Sequence, residues 1–242
     1  MQRRFFYARD SQRKLFGMQS LDAVSAVIFD MDGTLVDSEV FTAQAVTALC
    51  TELGIRNNDM DCSGLEGISW EDTGKAIMRH YPSLKGHTGI PRRLHEIYHR
   101  LLKNNPPAVI RKARATVLAA HALMPTAIVS SSYRESIKET IDRMEIAAYI
   151  NFYAGADDYN NCKPAPDGYL KAAECLGVAA GECLVFEDSM TGIQAAHRAG
   201  MQVIAVTRGG RNSDRLRNLA GRAICDYSEL PVHFFERLKI SH

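Results

Sequence analysis

The chain has 242 residues, 46% of them hydrophobic, which is enough for one large α/β domain or for a domain with an inserted subdomain. A formal net charge of +1 gives no bulk electrostatic reason to expect a nucleic acid or a membrane as partner. The six cysteines form no CxxC pair, and the sequence contains no apolar run of transmembrane length. It therefore predicts reduced thiols, a cytoplasmic location and no membrane-spanning helix.

The N-terminal stretch, residues 1–22, is basic and precedes the first strand signal. Its first 20 residues carry Arg3, Arg4, Arg9, Arg13 and Lys14 against one acidic residue. There is no apolar segment of signal-peptide length. An Arg-rich start is compatible with a transit peptide, but we favour a flexible or peripheral extension, and Met18 offers an alternative translation start.

The first apolar run, Val24 to Phe29, is typical of a strand buried on both faces of a parallel sheet. Ser38 is placed as the N-cap of a helix that runs to about Leu53 and ends at Gly54. The residues from 57 to 107 are polar, helix-patterned and poor in strand signals, whereas the segment 106–115 is irregular. We therefore predict a helical insert at 38–107 between two parts of a core, 23–37 and 108–242.

Strand and helix signals alternate in the rest of the chain. The strand signals are TAIVS (126–130), INFYAG (150–155), CLVFED (183–188), QVIAVT (202–207) and RAICDY (222–227). This alternation predicts an α/β fold, a doubly wound parallel-sheet (Rossmann-like) core with an inserted α-helical cap. Ligands bind at the carboxyl ends of the strands in such a sheet.

Polar side chains collect at those carboxyl ends. They are Asp30, Asp32, Ser130, Lys163, Glu187 and Asp188. Asp30 and Asp32 taken alone could be ordinary turn residues. Four carboxylates in one small site, however, cannot all be ionised unless a cation balances them, and an all-oxygen ligand set favours Mg²⁺.

The remaining groups of the predicted site suit phosphate. A lysine and a serine beside Mg²⁺ can bind phosphate oxygens. Gly33 allows a sharp turn after the first strand, and turn amides such as those at Gly33 and Thr34 can surround an anion. The set predicts phosphoryl transfer with an aspartate nucleophile.

Four sequence segments carry a family resemblance. DMDGTLVDS (30–38), Ser130, KPAPD (163–167) and VFEDSMTGIQAA (185–196) resemble, in order and spacing, the four motifs of the haloacid dehalogenase-like phosphohydrolases. The resemblance covers essentially residues 23 to 230, and the combination is far more specific than a DxDGT motif alone. The subfamily that the chain resembles has a helical cap inserted after the first motif, in agreement with the predicted insert.

The resemblance implies a role for each matched residue. Asp30 would attack phosphorus and form an aspartyl-phosphate. Asp32, on the same face of the extended segment, would protonate the leaving alcohol and later deprotonate water. Ser130 and Lys163 would hold the phosphoryl oxygens, whereas Asp37 is expected to shape the start of the helix.

The resemblance also implies a cofactor and partners. Asp188 would bind Mg²⁺ together with Asp30 and the backbone carbonyl of Asp32, and Glu187 would assist directly or through water. The expected partner is a small-molecule phosphate ester, with no nucleic acid and no membrane, for a protein that is a monomer or a dimer.

Two positions separate a phosphatase from the alternative, a phosphomutase that resembles β-phosphoglucomutase. The place of that mutase's cap histidine is taken by Thr42. The place of its cap arginine, in GISWED (67–72), is taken by Trp70. We therefore predict a phosphatase that acts on a small metabolite such as a sugar phosphate, with Trp70 and Glu71 as candidate contacts to the leaving group. A Trp, however, is more often a packing residue.

One competing motif lies in the insert. HEIYH, from His95 to His99, matches the HExxH pattern of zinc metalloproteases. It is surrounded by arginines and no third ligand follows it, so we interpret the match as coincidental.

Overall fold

The computed structural model describes residues 21–55, 59–62, 65, 68–210 and 212–239. Six parallel strands form one sheet in the order β3-β2-β1-β4-β5-β6. The strands are β1 (Ala26–Phe29), β2 (Thr126–Val129), β3 (Phe152–Ala154), β4 (Cys183–Glu187), β5 (Gln202–Val206) and β6 (Ala223–Ile224). This sheet confirms the predicted doubly wound α/β fold. The predicted extension lies outside the described residues as far as residue 20, and Leu21 is buried in the core.

The described helices either follow β1 as an insert or flank the sheet. They are α1 (Glu39–Glu52), α2 (Trp70–His80), α3 (Ile90–Asn104), α4 (Ala113–His121), α5 (Arg134–Arg143), α6 (Asp167–Leu176), α7 (Met190–Arg198), α8 (Ser213–Ala220) and α9 (Phe234–Lys239). In the part of the chain that the structure describes, none of them has the length and apolarity that a bilayer crossing requires.

The sheet is buried on both faces because its strands are almost wholly apolar. Successive residues of β1 point to opposite faces, so that Phe29 joins one hydrophobic cluster and Ile28 the other. The Phe29 ring stacks on Phe186 of β4 with ring centroids 5.4 Å apart. This packing fixes the ends of β1 and β4, from which the polar side chains project.

Helices α1, α2 and α3, which we call the helical insert, have a hydrophobic cluster of their own. Leu49, Trp70, Ile77 and Leu94 are among its buried members. Ser69 directly precedes α2. Its hydroxyl accepts a hydrogen bond from the backbone N–H of Asp72 at 3.2 Å, as expected of an N-cap.

The connection from the insert back to the sheet contains structure that the irregular sequence at 106–115 did not predict. Val109 forms an isolated antiparallel bridge with Val36, which lies shortly before the insert's first helix. Helix α4 then begins at Ala113, directly after Lys112, whose φ is 65°. The two chain segments that enter and leave the insert therefore lie side by side.

Candidate active site

The polar side chains predicted at the strand ends lie together at the carboxyl edge of the sheet. Asp30 and Asp32 follow β1, and Glu187 ends the neighbouring strand β4. Ser130 follows β2, and Lys163 lies in the loop between β3 and α6. The strand order reverses beside β1, which is where doubly wound sheets bind ligands.

Lys163 is the cationic centre of this group. Its ammonium donates to Oδ1 of Asp30 at 2.6 Å, to Oε1 of Glu187 at 2.7 Å and to the carbonyl oxygen of Val129 at 3.1 Å. The side chains of Lys163, Asp30 and Glu187 are 3%, 7% and 0% exposed. A buried ammonium with two carboxylate partners is strongly held, and its removal would leave both carboxylates uncompensated.

The charges of these buried groups shift one another's pKa. Burial raises the pKa of Asp30 to about 7, while Lys163 opposes this rise and Glu187 adds to it. Burial also disfavours the charged form of Lys163, but Asp30 and Glu187 outweigh that effect and hold its pKa well above the usual value. Lys163 is therefore a stable ammonium in a site with surplus negative charge.

An acidic cluster at the site suits a divalent cation. Carboxylate oxygens of Asp30, Glu187 and Asp188 lie within 4.8 Å of one another. Oδ2 of Asp30 is buried and has no hydrogen-bond partner in the structure. When all three carboxylates are ionised, they and Lys163 carry a net charge of −2, which a divalent ion with oxygen ligands would balance.

The turn after β1 is closely packed against Asp188. Gly33 has a φ of 78°, and a Cβ added to it would lie 1.7 Å from Oδ2 of Asp188, so only glycine fits. The Thr34 hydroxyl donates to Oδ1 of Asp188 at 3.2 Å. The backbone N–H groups of Gly33 and Thr34 donate to carbonyl oxygens inside the turn, at 2.8 and 3.3 Å. Both residues, predicted as phosphate contacts, here shape the turn.

Four hydroxyl groups surround Asp32. Ser38 and Tyr98 donate to its Oδ1 at 2.7 and 2.9 Å, and Ser130 and Ser132 donate to its Oδ2 at 3.1 and 2.8 Å. Ser38 occupies the N-cap position of α1, as predicted, but its side chain makes no cap hydrogen bond. Its hydroxyl is directed to the Asp32 carboxylate instead.

Tyr98 and Ser132 were not among the predicted site residues. Ser132 could have been suspected from its position in the triplet 130–132, whereas Tyr98 lies in α3 inside HEIYH (95–99), a pattern that points to zinc and not to this site. Burial raises the pKa of Tyr98 well above its usual value, and the Asp32 carboxylate raises it further. Its phenol therefore remains a hydrogen-bond donor.

Both carboxylate oxygens of Glu187 accept hydrogen bonds from neighbouring residues. Besides Lys163, its Oε1 accepts the Tyr169 hydroxyl at 3.0 Å, and its Oε2 accepts both the backbone N–H and the hydroxyl of Ser189 at 2.9 Å. A Cβ on Gly192 would lie 1.6 Å from Oε1 of Glu187. These contacts make Glu187 a rigid anchor for Lys163.

Three further predicted residues lie outside the group of polar side chains at the strand ends. Trp70 is only 7% exposed and packs in the insert against Tyr98, with ring centroids 4.8 Å apart. Glu71 instead lines a cleft of about 590 Å³ beside Lys163. Asp37 is exposed and forms an ion pair with Arg208.

The two histidines of the HExxH match contact residues of the core. The His95 ring meets the Tyr133 ring edge-on with centroids 4.4 Å apart. Nε2 of His99 lies 3.0 Å from a carboxylate oxygen of Glu139 in α5. Both histidines thus belong to the contact between the insert and the core.

The fold and the site define a class, the α/β proteins that carry a cluster of carboxylates at the carboxyl ends of the strands of a doubly wound sheet. Within that class, residues 27–206 match the family model for haloacid dehalogenase-like hydrolases. The chain belongs to this family, as the sequence motifs predict.

Relatives with named activities agree with the family. The chain is 31% identical over 186 residues to the phosphorylated carbohydrates phosphatase of Thermotoga maritima, covering 75% of this chain and 84% of the relative. It is 28% identical over 183 residues to the fructose-1-phosphate phosphatase of Escherichia coli K12, covering 75% and 96%. The prediction of a phosphatase-type hydrolase of this family is confirmed at the level of the enzyme class.

Solved structures agree with the fold. The structure of β-phosphoglucomutase from Clostridium difficile matches with a TM-score of 0.74 at 21% identity, covering 90% of this chain and 97% of the other. At this level of identity the likeness concerns the fold alone.

Proposed function

We propose that this protein is a Mg²⁺-dependent phosphatase that hydrolyses a small phosphorylated metabolite, a sugar phosphate, through an aspartyl-phosphate on Asp30. The observation that carries the proposal is the setting of the Asp30 carboxylate. One of its oxygens is held by Lys163 at 2.6 Å, and the other is buried without a hydrogen-bond partner beside Glu187 and Asp188. The segment 38–107 would serve as a cap over this site.

The proposed reaction has two steps, and Asp30 and Asp32 take part in both. In the first, an Asp30 oxygen attacks phosphorus, the bond from phosphorus to the ester oxygen breaks, and Asp32 gives a proton to the leaving alcohol. In the second, Asp32 takes a proton from water as the water oxygen attacks phosphorus. The bond from phosphorus to the Asp30 oxygen breaks as the bond to the water oxygen forms, so that Asp30 is a carboxylate again and inorganic phosphate leaves.

Two core side chains would hold the phosphoryl oxygens during both steps. The Lys163 ammonium and the Ser130 hydroxyl approach the site from separate loops, so they can contact different oxygens. Asp30, Asp188, Glu187 and the Asp32 backbone carbonyl would hold Mg²⁺, which when bound supplies charge stabilisation to the phosphoryl group.

The cleft beside Lys163 supports a sugar as the leaving group. Its walls carry amide, carboxylate and hydroxyl groups from both the insert and the core, which can hydrogen-bond to several hydroxyls. These side chains include Ser69, Glu71, Asp72, Asn160 and Asn161. The names of the phosphatase relatives point to the same class of substrate.

A phosphomutase is the second candidate, because a β-phosphoglucomutase shares the fold. The buried position of Trp70, at the place where the mutase resembled here has an arginine, favours hydrolysis.

We expect the protein with Mg²⁺ to release inorganic phosphate from sugar monophosphates in a panel of phosphate esters. Release should stop after chelation with EDTA and return when Mg²⁺ is added back, because the carboxylates of the site require a divalent cation to bind a phosphate dianion. Phosphate release and sugar isomers are measured in the same samples.

Two outcomes would contradict the proposal. Isomerisation of a sugar phosphate without net phosphate release would establish the mutase. Full activity after chelation would exclude the metal. An Asp37→Asn variant serves as the matched control, since its carboxylate lies in the same segment but is exposed.

A further inference from the structure

Helix α3 carries one side chain of the insert into the candidate active site. Tyr98 is 2% exposed, and its hydroxyl donates to Oδ1 of Asp32 across 2.9 Å. Its ring packs against Trp70, which restricts the direction of the phenol. The hydrogen bond therefore joins two elements that are 66 residues apart in the chain.

The same face of α3 docks the insert on the core. His95 lies three residues before Tyr98 and four residues before His99, so it neighbours both of them on the helix surface. They contact Tyr133 and Glu139 of the core. A movement that separates this face from the core would also withdraw Tyr98 from Asp32.

We propose that Tyr98 is a positioning residue, which orients Asp32 for proton transfer when the insert is docked on the core. This inference rests on the proposed function, because it takes Asp32 as the acid and base. Ser130 and Ser132 hold Oδ2 from the core, and Ser38 is only six residues from Asp32. Tyr98 is the partner whose presence depends on the position of α3.

Proton transfer by Asp32 would therefore depend on the docking of the insert on the core. With Tyr98 in place, the ionised Asp32 accepts two hydroxyl donors on each carboxylate oxygen, and the plane of the carboxyl group is fixed. In the acid form the proton would replace one serine donor on Oδ2, while Tyr98 still holds Oδ1. Without it, Oδ1 keeps a single donor and the group can turn. Proton transfer to the leaving alcohol is then efficient only when the cleft is closed around the substrate.

The test is Tyr98→Phe, which keeps the ring against Trp70 and removes the hydroxyl. With a sugar phosphate we expect kcat to fall about tenfold, the order of effect for one hydrogen bond to a charged group, with KM changed less than about twofold. With 4-nitrophenyl phosphate the first-turnover burst should be unchanged, because that leaving group needs no proton. In an Asp32→Asn background, adding Tyr98→Phe should have no further effect.

Several results would overturn the inference. They are an equal loss with both esters, an unchanged or higher kcat with the sugar phosphate, and an additive loss in the Asp32→Asn background. Tyr81→Phe is the control, since it removes a phenol hydroxyl of the insert that donates to Asp59 at 3.2 Å instead. If the wild-type protein releases no phosphate from either ester, it is the proposed function that fails, so the two failures are distinguishable.

Discussion

Asp30→Asn is expected to lower the rate of phosphate-ester hydrolysis by at least ~10³-fold, because a neutral amide cannot form the acyl phosphate and the covalent route is lost. The loss should appear in kcat with every ester that the wild-type protein accepts. Phosphate release under saturating substrate and Mg²⁺ measures it.

The fold should survive this change. Lys163 keeps its contacts with Glu187 at 2.7 Å and with the Val129 carbonyl at 3.1 Å. Removing the Asp30 charge also relieves the cost of burying it, which is the main cause of its raised pKa. A thermal midpoint at or above that of the wild type, together with the lost activity, would separate chemistry from unfolding. An Asp30→Asn protein within tenfold of wild-type activity would exclude Asp30 as the nucleophile.

Lys163→Met is expected to lower the free energy of unfolding by about 3 kcal/mol, because it leaves the buried Asp30 and Glu187 carboxylates without their shared cation. Activity should also be lost, since the ammonium would hold a phosphoryl oxygen. Urea unfolding without added metal measures the change. Lys138→Met is the control: it breaks a Lys–Asp contact of similar length, 2.8 Å, on the exposed surface, where the effect should be much smaller.

The loss of unfolding free energy caused by Lys163→Met, its stability deficit, should become smaller as the pH falls. The folded-state pKa of Asp30, about 7 with Lys163 present, rises further without it, whereas the unfolded value stays near 3.8. The folded variant therefore binds a proton at a pH where neither the folded wild type nor the unfolded chain does, and its stability rises as the pH falls through this range. The deficit should shrink as the pH falls toward about 7 and level off below it, where Asp30 is protonated in both folded proteins. A deficit that grows on acidification would contradict this assignment.

The sequence predicted the parts of the fold that depend on local pattern. Each of the predicted strand segments contains a strand of the sheet, because short apolar runs that alternate with helical patterns favour strands. The polar residues at the strand ends came together because parallel strands share one carboxyl edge.

The environment of Asp32 could not be predicted in the same way. Local rules assign Ser38 to the start of α1, and it does precede that helix, but its hydroxyl donates to Asp32 and makes no cap hydrogen bond. Ser132 and Tyr98 are 100 and 66 residues away from Asp32. The Tyr98 contact depends on how the insert packs on the core, and the Ser132 contact depends on the course of the loop after β2, and no spacing in the sequence encodes either.

The burial of Trp70 illustrates the same limit. Its place in the sequence suggested a contact with the leaving group, but Tyr98 and the apolar residues of the insert enclose it. A large apolar side chain gains more from that enclosure than from a polar cleft.

The covalent intermediate on Asp30 is the central claim, and trapping it is the most direct test. The protein is mixed with a sugar phosphate and Mg²⁺, quenched within one turnover and treated with borohydride, which reduces an acyl phosphate to an alcohol and would convert Asp30 to homoserine. Peptide mass spectrometry should find homoserine at position 30 when substrate is present and aspartate there when it is absent. An unmodified Asp30 in a protein that is turning over substrate, or homoserine at another aspartate, would contradict the mechanism.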